Sequence, residues 1–348
     1  MSQTTIEQDI MPIIDALCAD EYNKLVNILT DNQETVNEAV DALHKIIFRE
    51  RLSSKNLVKY GKTKNGCQRY LDKETGKTVT ASDRSIVKYT KKKYKQWSNY
   101  IRFMLYGLSL RKIAVEVGIS TTTAFNWRHK VIEAMKDYQT ESQLKGEIQI
   151  DETFFLMNFK GSWKNQKMPR LPKKRGTPGV HRGLSNEQVC VLVGIDETDQ
   201  VFSKIISQGN PLGLDIYQAL ESKIKPNSTI ITDSKIAYRE VSNALDCQLH
   251  QIPSGKHSKG DYNLGVMNQY HSELKTWFKR FKGVSTRHLE GYLMWFRFLK
   301  RLNYQFEYKQ HEKFTLQYTI SNQVSIRNVD VSRKPFPVDI FRPYQHLS

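Results

Sequence analysis

Ile148-Gln149-Ile150-Asp151-Glu152-Thr153 is an alternating run that ends in acids. A second run, Ile230-Ile231-Thr232-Asp233-Ser234, closes on an acid in the same way. Short β-branched runs of this kind read as buried strands. Glu147–Asp151 and Thr229–Asp233 are joined by three more β-rich runs: Gln188–Asp196, Val201–Ser207 and Gln248–Ile252. Helical patterns at 212–222, 235–245, 266–282 and 286–304 fall between or after them. The order β-β-β-α-β-α-β-α-α predicts an α/β domain over 145–305, a mixed sheet with helices on its faces.

The 266–282 helix contributes Asn268-Gln269-Tyr270-His271-Ser272-Glu273-Leu274-Lys275. Val266, Tyr270, Leu274, Trp277, Phe278 and Phe281 are spaced to make its core face. Asn268 and Lys275, seven residues apart, nearly stack on another face. Adjacent strands would set Asp151 beside Asp233, and neither tolerates the other's charge without a cation between them. Phosphoryl transfer on nucleic acid uses two hard cations about 4 Å apart on oxygen ligands. Each acid alone reads as well as a strand-end cap; the three stretches together point to a metal site.

Upstream, Leu110–Arg128 has the pattern of two short helices around a tight turn. Ile113, Ala114 and Val117 line one face, and Gly118 suits a left-handed helix end. Ser120 can cap the second helix. That helix is expected to present Thr121, Thr122, Asn126 and Arg128 to a DNA major groove, with Ala124, Phe125 and Trp127 among its buried anchors. A plain helical hairpin is the alternative. The helix-turn-helix region is placed at 85–140, and a basic, tyrosine-bearing linker over 88–95 leads into it.

Residues 160–183 carry eight bases and no acid. Lys173, Lys174 and Arg175 are its densest cluster and are candidates to grip a DNA backbone. The chain as a whole has 53 Lys+Arg against 36 Asp+Glu, a net charge of +17. A surplus of that size attracts a polyanion. It is not uniform: residues 1–40 hold eight acids and one base, Lys24. Residues 1–48 read as a helical region without visible chemistry, and 49–84 as a small β-ribbon rich in turn residues. The tail, 306–348, has aromatic residues and three prolines and fits no pattern.

Cys18, Cys67, Cys190 and Cys247 form no CxxC pair, which speaks against a disulfide framework and a cysteine zinc site. No long apolar run or signal-peptide pattern is visible, so a reducing bacterial cytoplasm, in contact with the nucleoid, is the expected location.

The motifs together resemble a known family. Gly-Leu-Ser-Leu-Arg-Lys-Ile-Ala (107–114), Thr-Ala-Phe-Asn-Trp-Arg-His-Lys (123–130), Ile-Asp-Glu-Thr-Phe-Phe (150–155), Arg-Gly-Leu-Ser-Asn-Glu-Gln-Val-Cys-Val-Leu (182–192) and Asn-Gln-Tyr-His-Ser-Glu-Leu-Lys (268–275) carry the likeness. The sequence resembles insertion-sequence transposases of the IS-fifteen-ninety-five family, with an ISXO-two-like catalytic domain, from about Phe48 to Phe298. The resemblance implies an RNase H-like domain in which Asp151, Asp233 and Asn268 bind Mg²⁺ or Mn²⁺ and Lys275 accompanies them. It implies binding to terminal inverted repeats in double-stranded DNA, metal-dependent cleavage and strand transfer, with the chain acting as a homo-oligomer on DNA and no membrane partner. It gives Glu152 and His271 no firm role. Many relatives carry a zinc ribbon before the helix-turn-helix. Here Asp72 and Thr75 stand where its second cysteine pair would be, so the ribbon reads as a relic and no zinc is expected. The rival reading is a catalytically silent DNA-binding regulator descended from a transposase.

Overall fold

The computed structural model describes residues 57–344 apart from 65–67, 81–82, 84, 89, 140–142, 162–165, 173–178, 180–183, 257, 306–307, 323 and 325. The helical region expected over 1–48 and the bases Lys173, Lys174 and Arg175 lie outside the described residues. The chain divides into two units. One takes in the residues up to Asp137 together with Leu302–Arg333; the other holds Tyr138–Arg301 and the residues from Lys334.

Among the described residues of the first unit, a three-stranded antiparallel sheet comes first, of β1 (Leu57–Lys62), β2 (Gln68–Asp72) and β3 (Thr78–Thr80), in that order. Its β2–β3 turn closes without thiolates. The Asp72 carboxylate accepts from the Glu74 and Thr75 amides at 3.0 and 3.4 Å, and Gly76 takes a left-handed φ of +64°. A carboxylate that accepts from the amides after it makes the Asx turn that favours Asp at such positions.

Three helices follow: α1 (Tyr94–Leu105), α2 (Leu110–Val117) and α3 (Thr121–Ala134). Ser109 caps α2 by accepting from the Lys112 amide, and Gly118 ends it at φ +66°. Ser120 caps α3 by accepting from the Thr123 amide at 3.0 Å. Ile113, Ala114 and Val117 are buried, and Trp97 of α1 stacks on Trp127 of α3 at 3.7 Å.

The second unit rests on a five-stranded sheet of β4 (Glu147–Leu156), β5 (Gln188–Asp196), β6 (Val201–Gln208), β7 (Thr229–Asp233) and β8 (Gln248–Ile252). Side by side they run β6-β5-β4-β7-β8. The first three pair antiparallel, while β4–β7 and β7–β8 pair parallel. The sheet is therefore mixed, as expected. A short hairpin of β9 (Ser258–Lys259) and β10 (Tyr262–Asn263) follows β8.

One face of the sheet is covered by α4 (Gly213–Leu220) and α5 (Ala237–Ala244). Ile148, Ile150, Leu192, Ile216, Leu220, Ile230, Tyr238 and Val241 make the core between them. Burying each of those aliphatic side chains contributes roughly 1.5–3 kcal/mol before entropy is counted. Across β4 the pleat alternates, so Gln149 points away from this core. Its side-chain carbonyl accepts from the Met267 amide at 3.0 Å, which sets α6 (Gly265–Lys279) on the opposite face. On α6 the buried residues are Met267, Tyr270, His271, Leu274 and Trp277. Val266, expected in the core, is exposed, and Met267 takes its place because the helix meets the sheet one residue later. The long helix α7 (Leu289–Gln305) follows, its aromatic residues Tyr292, Trp295 and Phe296 against Trp277.

The tail is ordered into α8 (Tyr308–Ser321) and α9 (Asn328–Ser332), both in the first unit. Both pack on α3, and α8 also packs on α1. Arg102 of α1 donates to Glu312 of α8 at 2.6 Å. The residues after Lys334 join the second unit, where Tyr344 donates to the buried Glu187 carboxylate at 2.9 Å and accepts from Arg170 at 2.7 Å.

Candidate active site

The site grows from the register of two strands. β4 and β7 pair in parallel with Glu147 opposite Thr229, Ile148 opposite Ile230 and Gln149 opposite Ile231. Counted two residues further, Asp151 stands level with Asp233. Asp151 shares the face of Gln149 and so looks toward α6. Asp233 is the last, exposed residue of β7.

Each acid has one oxygen tied down by a nearby backbone amide. The Glu152 amide donates to Asp151 Oδ1 at 2.8 Å, and the Lys235 amide donates to Asp233 Oδ1 at 3.1 Å. The other Asp151 oxygen, Oδ2, lies 3.6 Å from Nδ1 of His271 on α6. Burial pushes the Asp151 carboxyl up to about 6, and the negative charges of Glu152 and Asp233 push the same way. The Glu152 amide and Lys235 pull it back. Burial, with Lys275 close by, lowers His271 to about 4. At neutral pH the imidazole is therefore uncharged, and its approach to Asp151 is a polar contact rather than an ion pair.

His271 orients the rest of the helix. Asn268 and Lys275 lie three residues before it and four after it, the spacing that puts side chains on one stripe. The stripe facing Asp151 thus carries Asn268, His271 and Lys275, and Asn268 and Lys275 are exposed. Asp151, midway along β4, and Asp233, at the C-terminal end of the neighbouring β7, thus lie side by side in the middle of the sheet, with His271 of this stripe against Asp151. Sequence reasoning left out His271 as the link; its i+3 and i+4 relation to the two chosen residues was the available signal.

Glu152, on the other face of β4, accepts from Lys235 Nζ at 2.8 Å and from the Tyr238 hydroxyl at 3.2 Å. It is not directed at α6.

The DNA-reading side chains expected on α3 divide. Thr121 and Thr122 are exposed on its first turn. Asn126 and Arg128 are buried, 8% and 4% exposed, which corrects their expected display to solvent. Arg128 donates to the Leu108 carbonyl at 3.4 Å. The physical reason is that α1, α2, α8 and α9 all pack on α3, which is almost wholly buried beyond its first turn.

Among the described residues no group of three or more His, Cys, Asp and Glu is arranged to hold a metal ion. The oxygen-donor set is different in kind: two carboxylates and a carboxamide, all hard ligands suited to Mg²⁺ or Mn²⁺. A desolvated carboxyl held beside two other acids, as Asp151 is, is the environment a cation relieves. The residues fit such a group. No helix among the described residues is long and apolar enough to cross a membrane.

Comparison with known proteins adds a likeness over one domain. Residues 143–301 match the ISXO2-like transposase domain. That segment, which holds Asp151, Asp233 and Asn268, is similar to the catalytic domain of the transposase family that the motifs resemble. No curated protein matches the chain at a significant level. Among solved structures, a simian T-cell lymphotropic virus intasome in complex with the PP2A regulatory subunit B56 gamma is 12% identical, covers 68% of this chain and 75% of that one, and has a TM-score of 0.24. The Mos1 transposase paired-end complex with left transposon end is 14% identical over 64% and 78% at TM-score 0.24. The Mos1 strand transfer complex is 14% identical over 66% and 79% at 0.22. Likenesses of this size carry no argument about the present fold.

Proposed function

We propose that this chain is an active insertion-sequence transposase with an RNase H-like catalytic domain. It binds terminal inverted repeats through the α2–α3 helix-turn-helix and cuts and joins DNA at Asp151 and Asp233. The observation that supports the reading is the β4–β7 register, which counted two residues on brings Asp151 level with Asp233, together with the 3.6 Å approach of His271 on α6 to Asp151.

Asp151, Asp233 and Asn268 would hold divalent cations. A cation there supplies Lewis-acid activation of the attacking oxygen and charge for the leaving one. The chain's own residues supply the rest. Asp151 and Asp233 arrive pre-oriented, each with one oxygen occupied by a backbone amide. His271, neutral, borders Asp151 without adding charge. Lys275, exposed seven residues after Asn268, takes a phosphate of the bound strand. The first step is hydrolysis of the phosphodiester at an element end, with water as nucleophile and a 3′-hydroxyl left on the element. The second is attack of that hydroxyl on a target phosphodiester, which releases a target 3′-hydroxyl as leaving group.

Thr121 and Thr122, on the exposed first turn of α3, read the repeat, and the basic 160–183 stretch, Lys173, Lys174 and Arg175 included, tracks the backbone. The β1–β3 ribbon is a metal-free relic whose turn Asp72 closes. The test uses duplexes ending in the element's own repeats, labelled at the boundary. With Mg²⁺ or Mn²⁺ the full chain is expected to cut at the element end and join the end to a target duplex. A chain that binds the repeat and cuts nothing with either metal is the regulator instead.

A further inference from the structure

We infer that Glu152 and Lys235 are a positioning pair that fixes the turn carrying Asp233, an inference that rests on reading Asp151 and Asp233 as the reactive acids. β7 ends at Asp233, so no ladder partner follows it to hold the chain. A strand-end aspartate exposed to solvent ordinarily samples several rotamers.

Here the turn is gripped from both neighbouring strands. From β4, the Glu152 carboxylate takes the Lys235 ammonium at 2.8 Å, and the Lys235 amide donates to Asp233 Oδ1 at 3.1 Å. From β8, the Gln251 side-chain amide donates to the carbonyls of Lys235 and Asp233, at 2.8 and 3.2 Å. One carboxylate oxygen of Asp233 is thereby committed to its own turn, and the other is left to a ligand.

The Tyr238 hydroxyl also donates to Glu152, but a neutral acceptor would serve that bond. The Glu152 side chain is 6% exposed beside the fully buried Tyr238, where a neutral acceptor such as Gln would keep the hydroxyl bond without desolvating an ion. An ion pair that is largely withdrawn from water can serve to specify one conformation, the role inferred for this pair. Because side chains alternate along a strand, the dipeptide Asp151-Glu152 serves both halves of the site. Asp151 faces α6 as a ligand, and Glu152 reaches through the sheet to the turn of the second acid. Neither Glu152 nor Lys235 touches the reacting atoms in this scheme.

The test compares the full-length chain with Glu152→Gln and Lys235→Met. Amide hydrogen exchange over residues 230–238 is the first readout. Each variant is expected to speed exchange of the 233–236 amides about tenfold while β4 and the rest of β7 keep their protection. The second readout is the Mn²⁺ concentration for half-maximal cleavage of element ends, expected to rise about tenfold, with a smaller change in the rate at saturating Mn²⁺. The double variant is expected to add little to either single one. Unchanged exchange in the turn overturns the inference, and so does protection lost evenly across the sheet, which is ordinary destabilisation. If the unaltered chain cleaves no element end with any metal, the functional reading fails, and the exchange measurement alone still decides this one.

Discussion

An asparagine offers a cation a neutral oxygen where an aspartate or glutamate offers a charged one. With Asn268 the proposed ligand set carries two negative charges instead of three, so the incoming phosphate must supply more of what holds a second metal. Asn268→Leu keeps the volume and removes the oxygen. It is expected to leave repeat binding intact and to slow end cleavage by about 10³-fold, measured in single-turnover reactions. Asn268→Asp is expected to keep partial activity and to bind Mn²⁺ more tightly without DNA, by titration calorimetry. If Asn268→Leu cuts at the normal rate, Asn268 serves only its helix. Arg128 belongs to a different argument. Buried and bonded to the Leu108 carbonyl, it holds α3 in place. Arg128→Ala is expected to cost about 2 kcal/mol of stability, visible as a lower Tm. Thr121→Ala with Thr122→Ala is expected to weaken repeat binding at unchanged Tm. Asp151 and Asp233 were legible in the sequence because each closes a β-branched run. His271 was not, because its meaning depends on which face of α6 meets the sheet.

At the scale of elements, four of the five strands of the second unit were readable almost to the residue, since apolar runs there are bounded by turn residues. β4 runs on to Leu156, five residues past the expected end, because Glu152–Leu156 pairs with Gln188–Leu192. The tail resisted reading for a physical reason. α8 buries His311, Thr315 and Thr319 beside Leu316 and Ile320, so polar residues occupy inward positions and blur the apolar period. Asn126 and Arg128 read as solvent-facing because they are polar, yet α3 is packed by four helices and both are buried. The segment after Lys334 has an equally concrete task. Tyr344 bridges Arg170 and Glu187, and Arg170 also donates to the Met157 carbonyl at 3.1 Å. Both ends of the β4–β5 connection are thus tied to one hydroxyl. Tyr344→Phe is expected to cost about 1–2 kcal/mol and to raise the rate of limited proteolysis between Met157 and Glu187. Unchanged cleavage there would show that the aromatic ring alone secures the connection.

On the scale of the whole chain, the first unit is discontinuous: Leu302–Arg333 returns to it after the catalytic segment. A fragment ending near residue 140 therefore lacks α8 and α9 and exposes the faces of α1 and α3 they cover. Such a fragment is expected to melt well below one in which 302–333 is rejoined through a flexible linker. The rejoined version is expected to bind repeats in EDTA, with affinity falling steeply as salt rises. Equal melting temperatures for the two would deny α8 and α9 a part in that core. The central claim concerns the two acids that the β4–β7 register sets level, and Asp151→Asn tests it most directly. The substitution keeps the shape and removes one ligand charge. In Mn²⁺ the variant is expected to bind element ends with the affinity of the unaltered chain and to cleave them at least about 10³-fold more slowly. Cleavage by Asp151→Asn at the normal rate would contradict the account.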